Sequence, residues 1–259
     1  MQSLDRVVRR GATVAHQIHL PFAGLRRIGF GLAMGQLGMI AAAPGVGKSA
    51  LALQVALSSG LRTLYVSADT DAWTMSVRTL AHNTGHPQSY INQCLEGGYA
   101  LEELDVALWE ARHVQFSFDS YTTREIHSDV QAYGTVHGSF PELIVVDNLM
   151  NCARGGEDDL SSQTKAMDEL HALAQQTGAH VLVLHHATGS YDDGDRQIPL
   201  SGLANKLSKL PAQVLTLYRK DPHVFMCVVK HRQGKADPSG GLQVRLRFDG
   251  DRQTYLDQE

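Results

Sequence analysis

The sequence predicts an α/β fold: a mainly parallel, twisted sheet flanked by helices on both faces, with an antiparallel C-terminal edge. Three observations predict it. A glycine-rich turn over residues 42–49 separates a short apolar run from an Ala/Leu-rich run. A second apolar run, from Leu143, ends abruptly in the carboxylate of Asp147. From Gln213 onward, β-type runs alternate with turns at Asp221-Pro222 and Asp249-Gly250.

The turn carries the chemistry. Four residues separate Ala42 from Gly47, and Lys48 and Ser49 follow at once. This is the P-loop spacing with Ala at the usual first Gly. The run at residues 37–42 reads as a buried strand, and residues 50–57 read as a helix. Strand, turn and helix together aim backbone N–H groups and a helix N-terminus at a phosphate. Gly45 and Gly47 permit the tight curl, Lys48 places charge on the terminal phosphates, and Ser49 offers a hydroxyl to Mg²⁺. Ala43, Pro44, Gly45, Val46, Gly47, Lys48, Ser49 and Ala50 are therefore the expected nucleotide-binding segment. The plainer alternative is a glycine turn before an ordinary helix; the flanking runs and the later carboxylates argue against it.

Composition bounds the rest. With 259 residues, 43% of them apolar, the chain can build one large core. Basic residues number 23 against 27 acidic, a net charge of −4, so contact with nucleic acid must come from a local patch. Three scattered cysteines, Cys94, Cys152 and Cys227, fit buried thiols in a reducing compartment. No run of about 18 apolar residues and no secretory leader is present, so a soluble, cytoplasmic protein is expected. No H-E-x-x-H motif occurs among the 13 histidines.

Residues 1–20 read as an N-terminal arm, partly an amphipathic helix with Arg6, Arg9 and Arg10 on its basic face. It is either a frayed tail or a segment that packs on a neighbouring subunit. The domain proper spans residues 21–259. Residues 62–68 read as a second buried strand, and Asp69 lies just beyond it. Asp69 either polarises a water at the ligand-binding edge of the sheet or caps the helix expected at 72–82. Residues 88–112 read as helical, with Leu101, Leu104, Leu108 and Trp109 on one face. A strand is expected at 114–118 and a helix at 123–137, capped by Thr122 or Thr123. Leu143 to Asp147 reads as a buried parallel strand whose final carboxylate holds a metal through water. Its position, roughly a hundred residues after a P-loop, strengthens that reading. A helix follows at 161–176, closed by Gly178.

Residues 180–184 form the next strand, leading to His185 and His186. One of these can touch a γ-phosphate, or both simply close the strand. A short helix is expected at 201–210. Strands follow at 213–218, 224–229, 242–248 and 254–256. Lys230 and Arg232, two residues apart on an extended segment, point to one side. They either keep a sheet edge soluble or reach the nucleotide of an adjacent subunit.

These stretches together resemble the RecA-like motor domain of DnaB-type hexameric replicative helicases, over nearly the whole chain. The P-loop, the strand ending in Asp69, the Walker B-like strand ending in Asp147, the His185-His186 strand end and the Lys230-x-Arg232-x-Gly234 segment all match. The resemblance implies ATP and Mg²⁺ as cofactors. It implies Lys48 on phosphate, Ser49 and Asp147 on the metal, Asp69 as the base in place of a family Glu, and His186 (or His185) as γ-phosphate sensor. Lys230 and Arg232 become cations delivered in trans, worth about 10³–10⁵ in rate in related NTPases. It further implies a homo-oligomer, a hexameric ring on single-stranded DNA, with a replication loader or primase as partner in a phage or plasmid setting. Arg154, Arg196, Lys206 and Lys209 are the candidate DNA contacts. The alternatives are a RecA-like recombination or strand-annealing ATPase, and a nucleotide-gated accessory protein that does not unwind. The acidic loops around residues 157–159 and 192–195 favour the last.

Overall fold

The computed structural model describes residues 17–98, 102–119, 122–152, 159–187, 189–203 and 207–258. Residues 1–16, most of the expected arm, lie outside these. So do Arg154, Lys206 and Leu101.

The chain opens with β1 (Gln17–Ile18), paired antiparallel with β2 (Leu32–Ala33) around the short helix α1 (Ala23–Arg27). Then come β3 (Leu37–Ala42), α2 (Lys48–Ser59), β4 (Thr63–Ser67), α3 (Ala72–Thr84), α4 (Gln88–Glu96), α5 (Glu102–Glu110) and β5 (Val114–Ser117). The middle of the chain supplies α6 (Thr123–His137), β6 (Leu143–Asp147), the one-turn α7 (Leu149–Cys152), α8 (Asp159–Thr177) and β7 (His180–His186). Four strands end it: β8 (Gln213–Lys220), β9 (His223–His231), β10 (Gln243–Asp249) and β11 (Thr254–Asp257).

The main sheet runs β11-β10-β9-β8-β3-β7-β6-β4-β5. The six strands from β8 to β5 are parallel, and β9, β10 and β11 are antiparallel. The central strands are apolar on both faces, and each face is covered. On one side Ile40, Leu182, Leu184 and Tyr65 pack with α2 residues such as Leu51 and Val55. On the other, Met39, Val181, Val183 and Val146 pack with Ile126 and Val130 of α6 and Met167 and Leu170 of α8. Alternation along each strand sorts neighbouring residues onto opposite faces.

Local signals set the helix ends. Thr122, not Thr123, caps α6: its hydroxyl accepts from the Glu125 N–H at 3.2 Å while the Glu125 carboxylate accepts from the Thr122 N–H at 2.9 Å. That reciprocal arrangement satisfies two orphan donors at once. Gly178, at φ +76°, closes α8.

Three expectations are corrected. Residues 88–112 do not form one helix; α4 stops at Gly97-Gly98, where Gly98 takes φ +64°, and α5 starts afresh. The expected apolar face is not buried as a unit either. Leu104 and Ala107 pack with Leu80 and Ala81 of α3, whereas Leu108 is exposed and Trp109 is 66% exposed, its ring covered by the Arg112 guanidinium at 4.1 Å. Between residues 201 and 210 the described segments are a 3₁₀ turn, Leu200–Gly202, and the turn at 207–210, not a helix.

Candidate active site at the carboxyl edge of the sheet

Strand register brings the singled-out residues together. Ala42, the last residue of β3, pairs with His186 at the end of β7, and the Ala187 N–H donates to the Ala42 carbonyl at 3.0 Å. Ser67, ending β4, pairs with Asp147, ending β6, and the Ala68 N–H donates to the Asp147 carbonyl at 2.9 Å. Four strand ends therefore meet along one edge. There a cavity of about 310 Å³ is lined by Gly45, Gly47, Lys48, Ser49, Ala50, Asp69, Thr70, Arg78, Asp147, Asn148, His186, Phe248 and Gln253.

The loop has its P-loop shape for steric reasons. Gly45 sits at φ +76° and Gly47 at φ +106°, conformations that L side chains rarely adopt. At Gly47 a Cβ would also collide with the Tyr255 hydroxyl. That hydroxyl, from β11, lies 3.0 Å from both the Val46 and Gly47 carbonyls. Gln54 of α2 grips the same residue from its backbone side. Its Oε1 accepts from the Tyr255 N–H at 2.7 Å, and its Nε2 donates to the Tyr255 carbonyl at 2.9 Å. The edge strand thus braces both the loop and the helix behind it.

Lys48, 6% exposed, donates to the Ala42 and Ala43 carbonyls at 3.0 Å each and lies 3.2 Å from His186 Nδ1. Burial lowers its ammonium to about 8, against the opposing pull of Asp147. Asp147 is held above the usual carboxylate range, mainly by burial. Hydrogen bonds from Ser49 and Tyr65 and the charge of Lys48 pull it back down, while Asp69 pushes it up. The Tyr65 hydroxyl donates to Asp147 Oδ2 at 3.1 Å.

The two histidines part company across β7. His186 shares a face with Leu182 and Leu184 and lines the cavity; His185 shares a face with Val181 and Val183 and is buried on the far side. Burial first, and then Lys48, lowers the His186 pKa, while Asp69 raises it. Asp69 is not the helix cap. Asp71 takes that place, accepting from the Thr74 N–H at 3.0 Å. Asp69 instead receives the side-chain amides of Asn148 and Asn151.

Lys230 and Arg232 do not line this cavity. Gln213, at the start of β8, pairs with both Gly38 of β3 and His231 of β9, which places the end of β9 at the amino edge of the parallel strands. There Lys230 Nζ donates to the carbonyls of Ser208 and Lys209 at 2.7 and 2.8 Å, and Arg232 Nη2 donates to the Lys209 carbonyl at 3.0 Å. Both cations sit on one side of the segment. Burial, aided by Arg232, lowers Lys230 to about 8. Arg196 lies 3.6 Å from Asp193 and from Asp195, and the Lys209 side chain is exposed.

Sequence reasoning missed Tyr65, Arg78, Asn148, Asn151, Phe248, Gln253 and the Gln54–Tyr255 clamp. Asn148 directly follows Asp147 and was findable by position; the clamp left no local signal.

The shape of this site fits what the chain is similar to. A family model described as AAA domain matches residues 5–190, more than half the chain. The Gene 65 protein of Mycobacterium phage D29 is 37% identical over 222 residues, covering 82% of this chain and 95% of that protein. The Gene 65 protein of Mycobacterium phage L5 is 37% identical over 239 residues, covering 89% of each. The DNA repair protein RadA of Mycolicibacterium smegmatis is 30% identical over 137 residues, 52% of this chain but 28% of RadA. Among solved structures, an ATPase domain superposes with a TM-score of 0.81 at 19% identity over the whole of both chains. A DnaB-like replicative helicase, described with its interactions with primase, gives 0.81 at 17% identity over all of this chain and 68% of that one. The RadB recombinase gives 0.62 at 17% identity, over 93% of this chain and all of that one. The chain belongs to the AAA domain family, is similar to the phage Gene 65 proteins along most of its length, and has the RecA-like fold that it shares with a DnaB-like replicative helicase.

Proposed function

We propose that this protein is a Mg²⁺-dependent ATPase that works as a ring on single-stranded DNA and hydrolyses ATP at subunit interfaces. The observation that carries the reading is the division of labour across the sheet. Lys48, Ser49, Asp69, Asp147 and His186 crowd the carboxyl edge, while Lys230 and Arg232 stand at the amino edge, away from their own chain's cavity. Cations so placed complete a site on a second copy.

The cavity suits a triphosphate. Its glycine curl leaves N–H groups free to approach oxygen, and Lys48 is a buried ammonium whose carbonyl partners a phosphate can replace. An anion beside Lys48 restores the charge that burial weakens. Ser49 and Asp147 would hold Mg²⁺, a donor set that suits an ion keeping its waters and phosphate oxygens rather than an all-protein cage. When bound, the ion neutralises charge on the β- and γ-oxygens. Asp69 orients the attacking water, and His186, beside Lys48, registers the γ-phosphate. Arg154, Arg196, Lys206 and Lys209 are the proposed contacts to the strand, and a loader or primase is the proposed partner.

Support comes from the fold shared with an ATPase domain and with a DnaB-like replicative helicase described with primase. The test is ATP turnover with and without a single-stranded oligonucleotide, followed by strand displacement from a forked duplex. Stimulation by the oligonucleotide, lost in Lys48→Ala, is expected; turnover indifferent to DNA contradicts the translocase reading. Two observations keep other readings in play. RadA and RadB point to a recombination or annealing ATPase, which would respond to DNA without displacing a strand. The neutralisation of Arg196 by Asp193 and Asp195 points to an accessory protein that touches DNA little.

A further inference from the structure

Asp69 is a short side chain asked to do a longer one's work, so its carboxylate must be held. Two asparagines hold it. Asn148, the first residue past β6, donates its side-chain amide to one carboxylate oxygen of Asp69; Asn151, in α7, donates to the other. Both donors come from the segment that follows Asp147, whereas Asp69 follows β4.

Asn148 is itself fixed. It is 4% exposed, and its Oδ1 accepts the Met150 N–H at 2.9 Å, which orients the amide. The same Nδ2 that serves Asp69 lies 3.4 Å from His186 Nε2, and His186 Nδ1 lies 3.2 Å from Lys48 Nζ. A continuous polar line therefore runs Asn151–Asp69–Asn148–His186–Lys48. A carboxylate offers about four acceptor positions, so the two amides leave room for a water. Charge-assisted hydrogen bonds of this kind are the strong class, and they fix geometry as well as charge.

Building on the proposed role of Asp69 as the water-orienting base, we infer that Asn148 and Asn151 are positioning residues that aim Asp69, and that Asn148 links its position to the state of His186. Among the described residues, the side-chain amide of Asn151 donates to Asp69. Asn148 touches both the base and the residue beside the P-loop lysine, so a ligand that moves His186 moves the partner of Asp69.

Asn151 provides the cleaner test, because it is half-buried and its amide donates to Asp69, whereas Asn148 also closes a backbone turn. ATP turnover and binding of a fluorescent ATP analogue are measured on the intact chain as wild type, Asn151→Ala, Asn151→Gln, Asp69→Asn and the Asn151→Ala/Asp69→Asn double variant. Asn151→Ala is expected to lower kcat about tenfold, one charge-assisted hydrogen bond's share of orientation, with analogue affinity within about twofold of wild type. Asn151→Gln, which keeps the amide, recovers part of kcat, and the double variant is no slower than Asp69→Asn. Unchanged kcat in Asn151→Ala, weakened binding with kcat intact, or a double variant slower than Asp69→Asn each overturns the inference. Full activity in Asp69→Asn overturns the proposed base instead, so the two failures are distinguishable.

Discussion

Removing one oxygen atom from Tyr255 tests whether the C-terminal edge strand shapes the phosphate loop. The residue is 1% exposed, so Tyr255→Phe changes no surface. Its ring keeps its packing against Phe248, with centroids 4.7 Å apart. What disappears is the hydroxyl that lies 3.0 Å from the Val46 and Gly47 carbonyls. The Gly47 carbonyl retains the Leu51 N–H at 3.0 Å, so it is not orphaned. A neutral hydrogen bond contributes about 0.5–1.5 kcal/mol net, and a partly orphaned acceptor adds to that, which puts the expected loss near 1–2 kcal/mol. If about 1 kcal/mol of this is spent re-ordering the loop on binding, ATP-analogue affinity falls roughly fivefold. Urea unfolding reads the first quantity and analogue titration the second. Tyr218→Phe is the matched control. Tyr218 is also buried, and its hydroxyl donates to Gln243 Oε1 at 2.9 Å, on the opposite face of the sheet from Tyr255 and Val46. It should lose comparable stability with binding unchanged. Equal weakening of binding in both variants, or none in Tyr255→Phe, refutes the bracing argument.

Three further outcomes follow from the same geometry. Lys48→Ala abolishes ATP turnover, and normal turnover would remove the P-loop assignment. Arg232→Ala leaves analogue binding within about threefold of wild type but removes hydrolysis in the assembled protein, because a cation that acts on the transition state contributes little to ground-state binding. His180 makes the fold acid-sensitive. It is fully buried, its Nδ1 lies 2.8 Å from the Ala33 carbonyl, and burial lowers its pKa from 6.5 to about 4. Above pH 6.5 the imidazole is neutral in both folded and unfolded chains. Below it the unfolded chain takes up the proton first, so stability falls between about pH 6.5 and 4, by up to about 3 kcal/mol. Urea unfolding across that range should show a steeper loss in wild type than in His180→Gln, and parallel curves contradict the assignment.

The parts of this molecule that were legible in the sequence are those whose physics is local. β3, β6 and β7 read as apolar runs because parallel strands are buried on both faces, and the residues that end them, Ala42, Asp147 and His186, fall at one edge by register. The cap of α6 is written in Thr122 and Glu125. Illegible were contacts that need the whole fold. Asn148 meets Asp69 across 79 residues, and Tyr255 meets Val46 across 209. No period or spacing encodes either. The split at Gly97-Gly98 escaped because the apolar positions on either side suggested one continuous helix, yet Leu108 and Trp109 face outward. Which of His185 and His186 faces the cavity is a matter of strand parity, legible only when the two faces of β7 have names.

Everything mechanistic depends on a site divided between two copies of the chain. Mixing Lys48→Ala with Arg232→Ala protein, each inactive alone, tests this directly. In mixed assemblies some sites pair an intact P-loop with an intact neighbouring Arg232. Random assortment makes such sites about a quarter of the total, so recovery of about a quarter of wild-type ATP turnover is predicted. A mixture as inactive as its components would contradict a shared site, and so would wild-type turnover per subunit in protein diluted to monomers.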